Sequence, residues 1–179
     1  MRASIKHAAC GRAPAGQEAK AVGITDVAVK AASAEMQTLH DAGINPTRKL
    51  ANTGEVVLWG ARTFTPSGSA EWRYVSVRRL FLFLERSIEE GLQWAVSEPN
   101  DENLWAQVRL DVSSFLHTAW RAGAFQGRKP EEAYFVKCDR TTITQGDIDN
   151  GRMIVMIGIA PVRPAEFVIF RIGVAAQSP

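Results

Sequence analysis

EWRYVSVRRLFLFLERSIEEGLQWAVSEPN, Glu71 to Asn100, carries the clearest periodic signal in the chain. Val77, Leu80, Phe81, Leu84 and Ile88 recur at spacings of three and four, so on a helix they share one face, and Gly91 marks the stop. Arg78, Arg79, Glu85, Arg86, Glu89 and Glu90 lie outside that stripe. Leu82 projects among the charged side chains, either as a tolerated surface leucine or as a contact with another subunit. After the helix, Trp94 to Val96 reads as a strand. Before it, Glu55 to Trp59 is a short, nearly continuous apolar run, the pattern of a strand covered on both faces. The order strand, helix, strand predicts a right-handed parallel crossover.

Downstream, Asn100 is read as the N-cap of a second long helix, with Asp101 and Glu102 in the first turn, where the helix dipole favours negative charge. Leu104, Val108, Val112, Phe115, Leu116 and Ala119 form its buried stripe, Trp105 and Trp120 flank it as core or interface residues, and Gly123 ends it. Ala133 to Val136 is a third strand. Thr144 is placed to cap a one-turn helix, and Asn150-Gly151 follows as a turn. Met153 to Ile159 and Phe167 to Ile172 read as a closing antiparallel pair. The expected fold is therefore α+β, mixed α/β, with one mixed β-sheet containing the parallel strand-helix-strand unit, two long flanking helices and a C-terminal antiparallel strand pair.

Upstream, residues 1–43 read as a poorly ordered N-terminal arm, rich in Ala and Gly, with one weak helical patch from Ala31 to Asp41 ended by Gly43 and Asn45-Pro46. Residues 44–173 make the core domain and 174–179 a short C-terminal tail. The 179 residues suffice for one compact domain, and 46% hydrophobic with 22% charged residues is ordinary for a globular chain. A net charge of +2 is too small to point to nucleic acid or to a membrane surface. The 15 arginines against 6 lysines fit bidentate pairing at protein interfaces and fit a high-GC genome equally well. Cys10 and Cys138 stand far apart, supporting neither a disulfide framework nor a metal site, so a reducing cytoplasm is expected. The start of the sequence lacks the apolar centre of a secretory signal, and no apolar run reaches membrane-spanning length.

Little in the sequence suggests chemistry. Asp139, Asp147 and Asp149 lack the ligand alternation and terminal glutamate of a calcium loop, and caps and turns account for them. His7, His40 and His117 are scattered, with no ligand partner at metal-binding spacing. Asp101 and Glu102 serve as capping residues, which leaves Glu98 without an acid/base partner. No glycine-rich phosphate loop or nucleophile elbow is found. No catalytic, cofactor-binding or metal residue is expected.

Longer stretches carry a resemblance. INPTRKL (44–50), VVLWGARTF (56–64), the Glu71–Asn100 segment, LWAQVR (104–109), PEEAYFVKCD (130–139), TQGDIDNGR (144–152) and IAPVRPAEFVIFRIG (159–173) together resemble the C-terminal core of contractile-tail sheath proteins. The resemblance implies a structural subunit of phage tails or related contractile injection systems. Such a subunit assembles with identical copies into a helical tube around an inner tail-tube protein, contacts baseplate and tail-terminator proteins, and contracts to drive the inner tube through a membrane. It implies no cofactor, no nucleic acid and no membrane insertion by the sheath itself. The protein would be made in the cytoplasm of the producing cell and end in the tail sheath of the particle.

In that family, terminal arms add strands to neighbouring subunits. The subunit interface expected here is Leu82 with Glu166, Phe167, Val168, Ile169, Phe170, Arg171, Ile172, Gly173 and Val174, the last nine close to a chain end where strand addition needs free backbone groups. The alternating apolar side chains of the same strand read first as an ordinary closing strand of the core, which makes the residues after Gly173 the strand donors. Typical sheath subunits are considerably longer, and Met1 to Gly23 matches nothing in the resemblance. The alternative reading is an enzyme or small-ligand-binding module with a site at the strand ends near Glu98 and Asp139.

Overall fold

The computed structural model describes residues 11–64 and 70–164. The elements run α1 (Ser33–Asp41), β1 (Thr47–Lys49), β2 (Val56–Leu58), α2 (Val75–Gly91), α3 (Glu102–Arg121), α4 (Pro130–Ala133), β3 (Tyr134–Lys137), α5 (Gln145–Asp149) and β4 (Met156–Ile159). Single 3-10 turns lie at Ala70–Trp72 and Gln93–Ala95.

The stripe read from α2 faces inward: Val77, Leu80 and Leu84 are buried, and Phe81 and Ile88 are partly so. In α3, Leu104, Val108, Val112, Leu116 and Ala119 are buried, and Trp105 joins them at 1% exposure, so this tryptophan belongs to the core. Leu80 and Leu84 of α2 and the buried residues of α3 meet Ala124, Phe125, Ala133, Cys138 and Ile143 in one cluster, over which Ile88 and Val136, Ile157 and Ile159 of the β3–β4 sheet pack. Apolar area removed from water at about 25 cal/mol per Å² is what holds two helices and a narrow sheet together here.

Asp101 caps α3, its carboxylate accepting from Leu104 N–H at 2.9 Å. Asn100, the expected cap, does something else: its Oδ1 accepts from the Trp105 indole at 2.8 Å and its amide donates to the Arg152 carbonyl at 3.1 Å. Adjacent residues that can both cap are not separable by composition. Thr144 caps α5 as expected, accepting from Asp147 N–H at 3.2 Å while Asp147 accepts from Thr144 N–H at 3.1 Å.

Two expectations are corrected. Trp94–Val96 is not a strand, because Gln93–Ala95 forms a 3-10 turn in which Ala95 is buried while Trp94 and Val96 are exposed. Three apolar residues cannot signal their own period, and here a single side chain anchors the reversal between α2 and α3. The parallel strand-helix-strand unit and the single mixed sheet go with it: among the described residues the strands form two separate antiparallel pairs, β1 with β2 and β3 with β4. β4 pairs Tyr134 with Ile159 and Lys137 with Met156, whereas Phe167–Ile172, its expected partner, lies outside the described residues.

Part of the N-terminal segment runs beside β2. Residues 16–21 are joined to β2 by hydrogen bonds from Gly16 N–H to Leu58 O, Leu58 N–H to Ala19 O and Ala21 N–H to Val56 O, with Lys20 opposite Val57. β2 thus has backbone partners along both edges, and Val56 and Val57 are almost fully buried. Backbone pairing needs no apolar side chain, so an Ala/Gly-rich stretch can be ordered without a periodic pattern.

Candidate assembly surface

Of the ten residues expected at a subunit interface, Leu82 alone is described. Glu166, Phe167, Val168, Ile169, Phe170, Arg171, Ile172, Gly173 and Val174 lie outside the described residues. Leu82 is 51% exposed on the outer side of α2, near Arg86, which pairs with Glu89 at 3.2 Å and with Glu90 at 2.8 Å. It sits on a charged face of the helix.

Two further apolar surfaces were not legible in the sequence. On the outer face of the β3–β4 sheet, Phe135 and Met156 are each about half exposed, and the Phe135 ring lies over Gly158, its register partner. A Cβ at position 158 would come within 2.1 Å of that ring, so glycine is what lets the aromatic lie flat across the strand. On the other side, Phe81, Leu84 and Ile88 of α2, Leu116 of α3, and Ile157 and Ile159 of β4 line a groove of about 530 Å³ with Glu85 and Glu89 on its rim. Alternation within VKC and MIGI is too short to announce either surface.

The acidic residues serve local structure. Asp139 accepts from Thr141 N–H at 2.8 Å and from its hydroxyl at 2.5 Å, bonds that hold its carboxyl below the usual range. Asp147 is held low chiefly by Thr144, with Arg152 at 3.1 Å adding to it. Asp149 accepts from Gln145 at 2.9 Å. The cleft of about 300 Å³ beside Asp139 is lined by Glu102, Trp105, Arg109, Arg140 and Thr141, so Glu98 does not share it. Arg140 lies over the Trp105 ring and near Glu102, and Arg109 donates to the Cys138 carbonyl. Burial pushes the Cys138 thiol up, and Asp139 adds to the shift.

His40 is buried and its Nε2 bonds the Trp59 carbonyl at 3.0 Å. His117 is half-buried against Trp120, with its Nδ1 3.4 Å from the Tyr134 hydroxyl. His7 lies outside the described residues. No group of three or more His, Cys, Asp or Glu that could hold a metal occurs among the described residues. No described helix is long and apolar enough to cross a membrane.

Residues 67–175 match the family described as phage tail sheath C-terminal domain. The chain is 28% identical over 146 residues to the tail sheath protein of Vibrio phage KVP40 (isolate Vibrio parahaemolyticus/Japan/Matsuzaki/1991), covering 82% of this chain and 21% of that protein. It is similar to a chain in the cryo-EM structure of the six-fold symmetrised anti-feeding prophage baseplate, with 39% identity, TM-score 0.81, and coverage of 92% of this chain and 45% of that one. It is also similar to a chain of the PVC sheath complex, an extracellular contractile injection system in its contracted state, with 38% identity, TM-score 0.78, and coverage of 92% and 46%. The chain therefore spans about a fifth of the curated relative and under half of these solved chains.

Proposed function

This chain belongs to the phage tail sheath C-terminal domain family, and from that premise we propose that it is a structural subunit of a contractile sheath. Identical copies build a helical tube around an inner tail-tube protein, and contraction drives that inner tube through a target membrane. The observation that carries the reading is the combination of a family match across residues 67–175 with 39% identity, over 92% of this chain, to a chain of a contractile particle. The family is a structural one, and the work comes from rearranged contacts between copies rather than from nucleotide hydrolysis; no cofactor is required.

In this reading residues 44–173 form the body of the subunit, 1–43 an N-terminal arm whose residues 16–21 lie along β2 of that body, and 174–179 a short C-terminal tail. Leu82 and Glu166 to Val174 face other copies, the strand from Glu166 to Ile172 offering backbone donors and acceptors to a neighbouring sheet. Baseplate and tail-terminator proteins are the partners at the two ends of the tube. The protein is made in the cytoplasm of the producing cell and ends in the tail of a phage or phage-like particle, with no nucleic acid bound and no direct insertion into a membrane.

Electron microscopy of the purified chain, alone and with its inner-tube partner, tests the reading. Tubes with a regular helical repeat are the expected result. A monodisperse single copy under both conditions overturns it.

A further inference from the structure

Building on the sheath reading, we propose that copies of this chain meet head to tail along α2, the basic end of the helix in one copy lying against the acidic end in the next. Arg78 lies in the first turn of α2 with Arg79 directly after it, and Glu89 and Glu90 lie in the last turn; the first turn holds no acidic residue and the last no basic one. Each end therefore carries the charge that the helix dipole disfavours. The other long helix does the opposite, α3 having Glu102 in its first turn and Arg121 in its last. Within the single copy the charges of α2 are only partly compensated. Arg86 is shared between Glu89 at 3.2 Å and Glu90 at 2.8 Å, while Arg79 and Glu85 have no ion-pair partner among the described residues. A neighbour that brings the opposite charge relieves both ends.

Both halves of the match lie on one exposed strip of the same helix, which makes the chain its own partner. Eleven residues separate Arg78 from Glu89 and Arg79 from Glu90, and all four are exposed. That interval is about three helical turns, so each arginine and its glutamate stand at nearly the same position around the helix, about 16 Å apart along it. Sliding one α2 by that length past another brings the arginines of the first to the glutamates of the second. Leu82, 51% exposed on the same strip, is carried by the same shift to the level of Gln93, beside Trp94 and Val96, which are 43% and 74% exposed in the turn that leaves α2. Charged and apolar groups thus match in a single register. Because the two surfaces differ, the contact is heterologous and repeats from copy to copy, as an open helical array requires.

Sedimentation velocity of the full chain over about a hundredfold range of concentration tests the contact. The parent is expected to associate reversibly beyond two copies, and more weakly as salt rises. Arg78→Glu with Arg79→Glu in one variant, and Glu89→Arg with Glu90→Arg in a second, should each weaken association at least about tenfold while keeping the helical circular dichroism of the parent. Arg78 also stacks over the Trp72 ring at 4.9 Å, and the second variant, at the far end of the helix, leaves that stack untouched. Mixed one to one, the two variants should associate again, because each then meets the opposite charge at both ends. A parent that stays single, a pair of copies that grows no further, variants that associate as the parent does, or a mixture that fails to recover overturns the proposal. Each of those results leaves the sheath reading to be decided by the tubes formed with the inner-tube partner.

Discussion

The side-chain amide of Asn45 is bonded at both ends to the backbone of Arg62: its Oδ1 accepts from Arg62 N–H at 2.8 Å and its Nδ2 donates to the Arg62 carbonyl at 2.7 Å. A side chain here does what a neighbouring strand does elsewhere, and it fixes the turn out of β2 against the end of α1. Arg62 is buried and its guanidinium reaches Asp41 of α1 at 3.1 Å, so the clamp also sets an ion pair. Asn45→Asp keeps the shape and the acceptor but loses the donor, setting a carboxylate against a carbonyl. The expected cost is about 1–2 kcal/mol, read as a lower midpoint of urea unfolding. Gly60→Ala should cost a similar amount, because a Cβ there would stand 2.7 Å from Asn45 Oδ1 and 3.0 Å from its Cα.

Ser97 is the one described residue other than glycine with positive φ, at 78°. It lies between the 3-10 turn and α3, exposed to solvent, in a backbone region where a Cβ is crowded by the following carbonyl oxygen. Ser97→Gly relieves that crowding and is expected to stabilise the chain by about 0.5–1 kcal/mol, less whatever the freer unfolded chain takes back. Ser97→Val should destabilise it. Thermal unfolding of the two variants beside the parent distinguishes the signs.

The carboxyl of Asp147 is held below its ordinary value, first by the Thr144 hydroxyl and N–H and then by the charge of Arg152. A group whose folded value is depressed adds stability above its unfolded value, about 3.9, and that contribution is lost as pH falls through the lower folded value. Asp147→Asn should therefore lower the unfolding midpoint at neutral pH, with the gap to the parent closing under strong acid. A gap that stays constant across the range would show that the bonds matter only for shape. Thr144→Ala should reproduce much of the neutral-pH loss, since it removes the cap of α5 and the hydroxyl that Asp147 holds at 2.6 Å.

How far the fold could be read depended on how local its cause is. The stripes Val77–Leu80–Leu84 and Leu104–Val108–Val112 come from the helix repeat itself, and both face inward as read. Trp94–Ala95–Val96 was misread because its fate is decided by where Ala95 packs, a long-range fact. The pairing of β3 with β4, across 18 intervening residues, is a contest among several short apolar runs that no local pattern decides. His40 looked like an isolated polar residue, yet it is buried against the Trp59 carbonyl, nineteen positions along. Leu82 was legible as a candidate contact because a leucine among charges stands out on a helical wheel. The groove was not, since its walls are the same residues that any core needs.

Removing the residues after Gly173 bears on the arm itself. Leu80, Leu84, Trp105, Val108, Leu116 and Phe125, packed together in one cluster, all lie well before that point. The shortened chain should therefore keep its helical circular dichroism and an unfolding midpoint within about 0.5 kcal/mol of the parent, as expected for changes remote from buried groups. Tubes should nonetheless fail to form, because strand addition between copies needs chain beyond the body to reach the next sheet edge. Electron microscopy of the shortened chain beside the parent decides it. Intact tubes would mean that the contacts between copies run through other surfaces, such as Leu82 and the outer face of Phe135 and Met156. Phe167→Asp together with Ile169→Asp separates the two roles: it should lower the stability of the single copy, which loss of the tail leaves unchanged.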